Sequence, residues 1–290
     1  MLLYSCRPLP STPARRTVFD GENAYQLLAR QTEFGFRPTG SLAGRQTGDW
    51  IIQQLLAAGW EVETQEFPYM GTTCRNIIGK MPDSAGEEIV LLGAHYDTRL
   101  KADRDPEARD EPVLGANDGA SGTAVLLELA QVLESDRIPY QVWLAFFDAE
   151  DNGHLNGWEW AVGSSYMASR LDPSGWPELV IVVDMIGDAD QQIYYEYNSD
   201  PALMQAIWQV AADLGYEETI IPEYRHSILD DHTAFARLGI AAVDMIDFDY
   251  PYWHTTADTL DKVSAASLER VGRTVEAFLE SNAASGDSNE

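Results

Sequence analysis

Four stretches of the chain are almost continuously apolar, and each stops abruptly at polar residues: "EEIVLLGAHYD", "YQVWLAFFDAE", "ELVIVVDMIGD" and "GIAAVDMIDFD". Apolar runs of this kind predict strands buried on both faces. Helical patterns lie between them. "TGDWIIQQLLAAGW" spaces its apolar residues as a helix does and closes at Gly59, and "GTAVLLELAQVLES" reads as a second helix. "WEVETQEF" alternates apolar and polar residues as a strand does. Buried strands separated by helices predict an α/β fold, with a mixed, mostly parallel central β-sheet and helices on both faces. Ligands in such folds sit outside the carboxyl ends of the strands.

No internal repeat or low-complexity linker interrupts this pattern, so one domain over residues 18–280 is expected. Residues 1–17, with Pro8, Pro10 and Pro13, predict an extended N-terminal tail, and residues 281–290 a disordered C-terminal one. The 290 residues, 45% of them hydrophobic, suffice for a substantial core. Charge narrows the function: 19 basic against 47 acidic residues, net −28, lacks the basic footprint of a nucleic-acid or anionic-membrane binder. Such acidity fits a secreted or salt-adapted protein, and an extracytoplasmic location is expected. "LYSC", residues 3–6, is similar to the end of a bacterial lipoprotein signal and makes Cys6 the candidate for a lipid anchor, although the apolar run before it is far shorter than a working signal needs. No later stretch is long and apolar enough to span a membrane.

The two cysteines, Cys6 and Cys74, are too few for a disulfide framework or a thiolate metal site. Any metal must therefore be held by His and carboxylates. The ends of the apolar runs supply these groups: His95 and Asp97, then Glu150 and Asp151 in "FFDAEDNG", then Asp184, then Asp244 with Asp247. If the strands are parallel neighbours, the groups meet on one rim. Carboxylates crowded at a water-poor strand end do not all stay ionised unless a cation compensates them. Loops add Asn117 and Asp118 before the second helix, with Gly115, Gly119 and Gly122 for a tight turn, and His254 in "YWHTTADTLDKVS". A His and carboxylate set without thiolates suits a catalytic zinc. Taken singly, each residue has a plainer role: Asp118 a helix cap, "NDG" a turn, His95 a hydrogen-bonded core residue, Asp148 a structural partner, Glu150 and Asp151 a solvated loop. The order and spacing of the whole set weigh against those readings.

The series "GAHYDTR", "GANDGASGTAVLLELA", "FFDAEDNG", "VVDMIGD", "LDDHTAF" and "WHTTADT" resembles, in order and over roughly residues 20–280, the family of zinc aminopeptidases and glutaminyl cyclases. The resemblance implies a zinc-dependent exopeptidase-like fold and makes residues 18–280 the catalytic domain. It places metal ligands at His95, Asp118, Asp151, Asp184 and His254, and the general base and acid at Glu150. Where the family usually has two consecutive glutamates, this chain has Glu150 followed by the shorter Asp151. In the two-metal aminopeptidases Asp118 would bridge two ions. In the cyclases one zinc, held at Asp118, Asp151 and His254, suffices, and the substrate's own α-amine attacks the side-chain amide of an N-terminal Gln.

Three features resemble the cyclases of animals and bacteria, although a "DH" segment like the third also occurs in aminopeptidases. "NGHLNGWEWAV" is inserted before Gly163 and Ser164, Trp253 directly precedes His254, and Asp231 in "LDDHTAF" would join Glu150 and Asp184 in a carboxylate network. Trp253, Trp158 and Trp160 are the expected substrate-binding residues, although packing alone would also explain each of them. The expectation is a glutaminyl-peptide cyclotransferase acting on peptides with a free N-terminus, with one zinc rather than two. A zinc aminopeptidase is the alternative. A non-catalytic binding module of the same fold ranks last, because all five ligand positions and Glu150 carry competent side chains.

Overall fold

The computed structural model describes residues 17–84 and 86–281, so the expected anchor at Cys6 and the C-terminal tail from 282 onward lie outside the described residues. In chain order the elements are α1 (Gly21–Thr32), α2 (Leu42–Ala57), β1 (Glu61–Tyr69), β2 (Thr72–Lys80), β3 (Ile89–His95), α3 (Ala120–Val132), β4 (Gln141–Phe147), α4 (Val162–Arg170), β5 (Leu179–Asp184), β6 (Ile193–Glu196), α5 (Pro201–Asp213), β7 (Ile220–His226), α6 (His232–Ala236), β8 (Ala241–Ile246) and α7 (Ala265–Ser281). Six strands form one sheet in the order β1-β2-β4-β3-β5-β8. The four apolar runs are its parallel centre, β4-β3-β5-β8, and the β1–β2 hairpin joins antiparallel at one edge. A small parallel pair, β6–β7, stands apart. The expected mixed, mostly parallel α/β sheet is therefore present.

Both faces are covered. Val90, Leu92 and Ala94 of β3 point into the core beneath α1, α2, α3, α5 and α7, whereas Leu91 points to the opposite side, under α4 and α6. That two-residue alternation, with both faces apolar, is why the sequence shows unbroken hydrophobic runs. Helix α3 is itself apolar nearly all round and buried along most of its length. It approaches the sheet closely at Gly122, where an added Cβ would lie 2.2 Å from the Val183 carbonyl oxygen. Glycine thus lets α3 settle onto β5 and carries the turn before it, including Asp118, to the strand ends. The register then aligns those ends: His95 pairs with Phe147, the last residue of β4, and Asp184 with Ile246, the last of β8.

Candidate active site

His95 and Asp184 close two adjacent parallel strands, so the sheet itself places them side by side, with His95 Nε2 3.1 Å from Asp184 Oδ1. Asp118 enters from the turn before α3. Gly119, at φ 96°, is the helix cap instead, and the backbone N–H groups of Asn117 and Asp118 donate to Asp258 at 2.8 and 3.1 Å. The buried Arg37 guanidinium binds the carbonyls of Leu114 and Gly115 and ties down the same loop. Asp118 is therefore not an N-cap. One of its oxygens lies 3.1 Å from His95 Nε2 and the other 3.8 Å from His254 Nε2.

Glu150 and Asp151 leave β4 through Ala149, whose φ of 64° is left-handed and strained for a non-glycine residue. Asp97 holds this bend by accepting the backbone N–H of Glu150 at 3.1 Å and of Asp151 at 3.3 Å. Asp97 thus supports the site through the backbone. Asp151 Oδ1 reaches His254 Nε2 at 3.0 Å. Two groups result: His95, Asp118 and Asp184, and Asp118, Asp151 and His254, each with ligand atoms within 4.8 Å of one another. All five residues are buried, and Asp118 Oδ2 and Asp151 Oδ2 have no hydrogen-bond partner. Buried, unpaired carboxylate oxygens converging with imidazole nitrogens fit a divalent metal.

The electrostatics agree with that fit. Burial, with repulsion from Asp118, pushes Asp151 up to about 6, and burial pushes Asp184 up to about 7 although His95 opposes it. Glu150 is held well above the usual carboxyl range by burial and by the negative charge of Asp230. Burial alone would lower His95 and His254, but the surrounding carboxylates outweigh it and raise both. The site retains protons that a bound cation would displace.

Asp118, Asp151, Asp184 and His254 line a cavity of about 300 Å³, and His95 lies behind it. Glu150, Asp184 and Asp230 face it, and Met185, Ile228, Ile246, Phe248, Trp160 and Trp253 form apolar walls. Trp160 stacks on the His254 ring with a 14° interplanar angle, and Trp253 lies against the same ring at 4.1 Å between centroids. Trp158 is elsewhere, packed edge-on against Tyr69. From the "LDDH" pair, Asp230 faces the cavity and Asp231 is buried behind it beside Ser164. The sequence reading singled out Asp231 and passed over Asp230. Asp244 and Asp247 do not line the cavity: Asp244 is buried 3.6 Å from His232 Nδ1 and supports Asp230 from behind through a side-chain hydrogen bond, and Asp247 accepts the Gln192 backbone N–H. Asp244 lies within β8 rather than at its end, while Asp247 turns toward the start of β6.

Several known proteins resemble the chain in sequence or fold. Bovine glutaminyl-peptide cyclotransferase is 27% identical over 280 residues, covering 83% of this chain and 76% of the bovine one. Among solved structures, the glutaminyl cyclase of Porphyromonas gingivalis superposes with a TM-score of 0.86 at 33% identity, covering 92% of this chain and all of that one (100%). A protein described as a leucine aminopeptidase precursor from Bacteroides thetaiotaomicron superposes equally well, with a TM-score of 0.86 at 31% identity over 92% of this chain and 99% of its own. The sequence pattern of peptidase family M28 matches residues 76–279, the span that contains every candidate ligand described above, and the chain belongs to that family.

Proposed function

We propose that the protein is a glutaminyl-peptide cyclotransferase, converting the N-terminal Gln of peptides to pyroglutamate with release of ammonia. The observation that carries this reading is the cavity, a small apolar chamber walled by Trp160, Trp253 and Phe248, with Glu150, Asp184 and Asp230 facing it. Its volume has room for the N-terminal residue of a peptide. Asp118, Asp151 and His254 would hold one zinc ion there, and when bound the zinc supplies Lewis-acid polarisation of a carbonyl oxygen.

The remaining work falls to the chain's own residues. The tryptophan walls hold the Gln side chain folded back toward its own α-amine and exclude water, which favours ring closure over hydrolysis. The amine nitrogen bonds to the side-chain amide carbon, and the bond from that carbon to the amide nitrogen breaks. Glu150, whose carboxyl burial and the charge of Asp230 hold above its usual range, is suited to pass a proton between the attacking amine and the leaving ammonia. Asp230 and Asp184 offer acceptors for the substrate's N-terminus.

One observation favours a second reading. Asp118 stands between two ligand groups, as a bridging carboxylate would in a two-metal aminopeptidase. Matched peptides beginning with Gln and with Leu, followed by mass spectrometry, separate the two. Loss of ammonia from the Gln peptide supports the cyclase, and removal of Leu without any cyclisation of Gln supports the aminopeptidase. An extracytoplasmic location belongs to the same reading and is supported by the acidic composition. Among the described residues no helix is long and apolar enough to cross a membrane.

A further inference from the structure

The longest stretch without helix or strand in the described chain, between β3 and α3, includes "TRLKADRD" at residues 98–105, and the fold gives it no obvious task. Its contacts converge on the turn that carries His254. The backbone N–H of Arg104 donates to the His254 carbonyl at 3.2 Å, and the Arg104 guanidinium sits 3.9 Å over the Trp253 ring. Asp105 accepts from the Thr256 backbone N–H at 3.0 Å and from its hydroxyl at 2.6 Å. His254 has φ 56°, a conformation that a non-glycine residue keeps only when its neighbours fix it. The loop provides those fixing contacts on both sides of His254.

Asp103 links the loop to the metal group itself. Its Oδ1 lies 3.4 Å from His254 Nδ1, the ring nitrogen facing away from Asp118 and Asp151. Arg99 grips the same carboxylate with two hydrogen bonds, 2.7 and 2.8 Å, and donates to the Asp151 backbone carbonyl at 3.0 Å. Arg99 also lies 4.9 Å from the Trp160 ring. Since Asp151 Oδ1 meets His254 Nε2 at 3.0 Å, the contacts close a ring: His254, Asp103, Arg99, Asp151. A carboxylate at Nδ1 selects the tautomer that leaves the Nε2 lone pair free for a metal and holds the ring in place.

We infer that Asp103 is a positioning residue, which presets the Asp118, Asp151 and His254 group by holding His254 directly and Asp151 through Arg99. The inference rests on the reading of that group as a metal site. It is independent of which reaction the site performs.

The test is zinc affinity of the full chain, stripped of metal and titrated in competition with a chromophoric chelator. In Asp103→Asn the single carbonyl oxygen meets one donor while the amide N–H groups face the other. Zinc should then bind about 10- to 100-fold more weakly, the usual cost of losing an outer partner of a ligand. Saturating zinc should restore most of the turnover. Lys101→Ala, on the same loop but paired with the exposed Asp110, should bind zinc within about twofold of the parent, far inside that range. Affinity of Asp103→Asn within that twofold margin, or an equal loss in Lys101→Ala, would overturn the inference. If the Asn variant does not fold, Asp103→Glu carries the test: displacing the carboxylate by one methylene should weaken zinc measurably, and unchanged affinity overturns the inference. A parent protein that binds no zinc would instead remove the metal reading on which the inference stands.

Discussion

The two ligand groups that share Asp118 are built by different means. His95 and Asp184 are the last residues of β3 and β5, so the parallel ladder between those strands fixes their spacing. Asp151 and His254 sit on loops and are kept in place by polar side chains: Asp97 under the Asp151 bend, Arg99 on its carbonyl, Asp103 behind His254. A second difference follows. In the strand-borne group, His95 Nε2 lies 3.1 Å from both Asp184 and Asp118, so the imidazole already partners the carboxylates. In the loop-borne group Asp118 Oδ2 and Asp151 Oδ2 remain unpaired. In the strand-borne group His95 Nδ1, 3.5 Å from Asp97, and the shared Asp118 Oδ2 lack a hydrogen-bond partner, whereas the loop-borne group leaves two carboxylate oxygens open to a cation. One ion is thus expected at Asp118, Asp151 and His254.

Removing one histidine from each group separates them most strongly. His254→Ala should weaken zinc by more than the about 10- to 100-fold typical of an outer-sphere loss and abolish turnover with it, whereas His95→Ala should keep its metal. Equal metal loss in both variants, measured by elemental analysis, would erase the distinction. Within the loop-borne half, neighbouring carboxylates have separate tasks. Glu150→Gln should retain zinc while turnover falls about 10²- to 10⁴-fold, the scale of a lost general acid or base, and undiminished turnover would move the proton shuttle to Asp184 or Asp230.

A smaller effect concerns stability. Asp151, at about 6, and Asp184, at about 7, hold protons in the folded chain that they release at about 4 when unfolded. Between those values the native state binds more protons than the unfolded one, so this contribution is full at low pH and is lost as pH rises toward 7. The raised values of His95 and His254 act in the same direction at higher pH, while the lowered Asp118 acts oppositely at the acid end. Metal-free protein should therefore melt lower at pH 7 than at pH 5, and added zinc should restore the loss at pH 7 by favouring the ionised carboxylates. A melting temperature indifferent to both pH and zinc would show that these carboxylates are not energetically coupled to a metal.

The same contrast between strands and loops explains what was legible in the sequence. β3, β4, β5 and β8 are buried on both faces and announce themselves as apolar runs, and the residues at their ends could be named directly. β2, "TTCRNIIGK", mixes polar and apolar positions because it joins the exposed hairpin to the buried centre, and its place between β1 and β4 was not readable. Short elements such as β6 and α6 carry too few residues for a period to show. The candidate ligands on loops were proposed only through the ordered motifs, since spacing alone does not say where a loop side chain points. For that reason Asp230 and Asp231, adjacent in "LDDH", could not be told apart, nor could Trp158 be separated from Trp160. Arg99 was invisible as a support because its partners, Asp103 and Asp151, meet only in the folded chain.

The most direct measurement of the central claim is an anomalous-scattering map at the zinc edge from crystals of the zinc-loaded protein. The account predicts one strong peak between Asp118, Asp151 and His254, with His95 and Asp184 still hydrogen-bonded to each other. Two peaks of comparable strength flanking Asp118, or a single peak at His95 and Asp184, would contradict it.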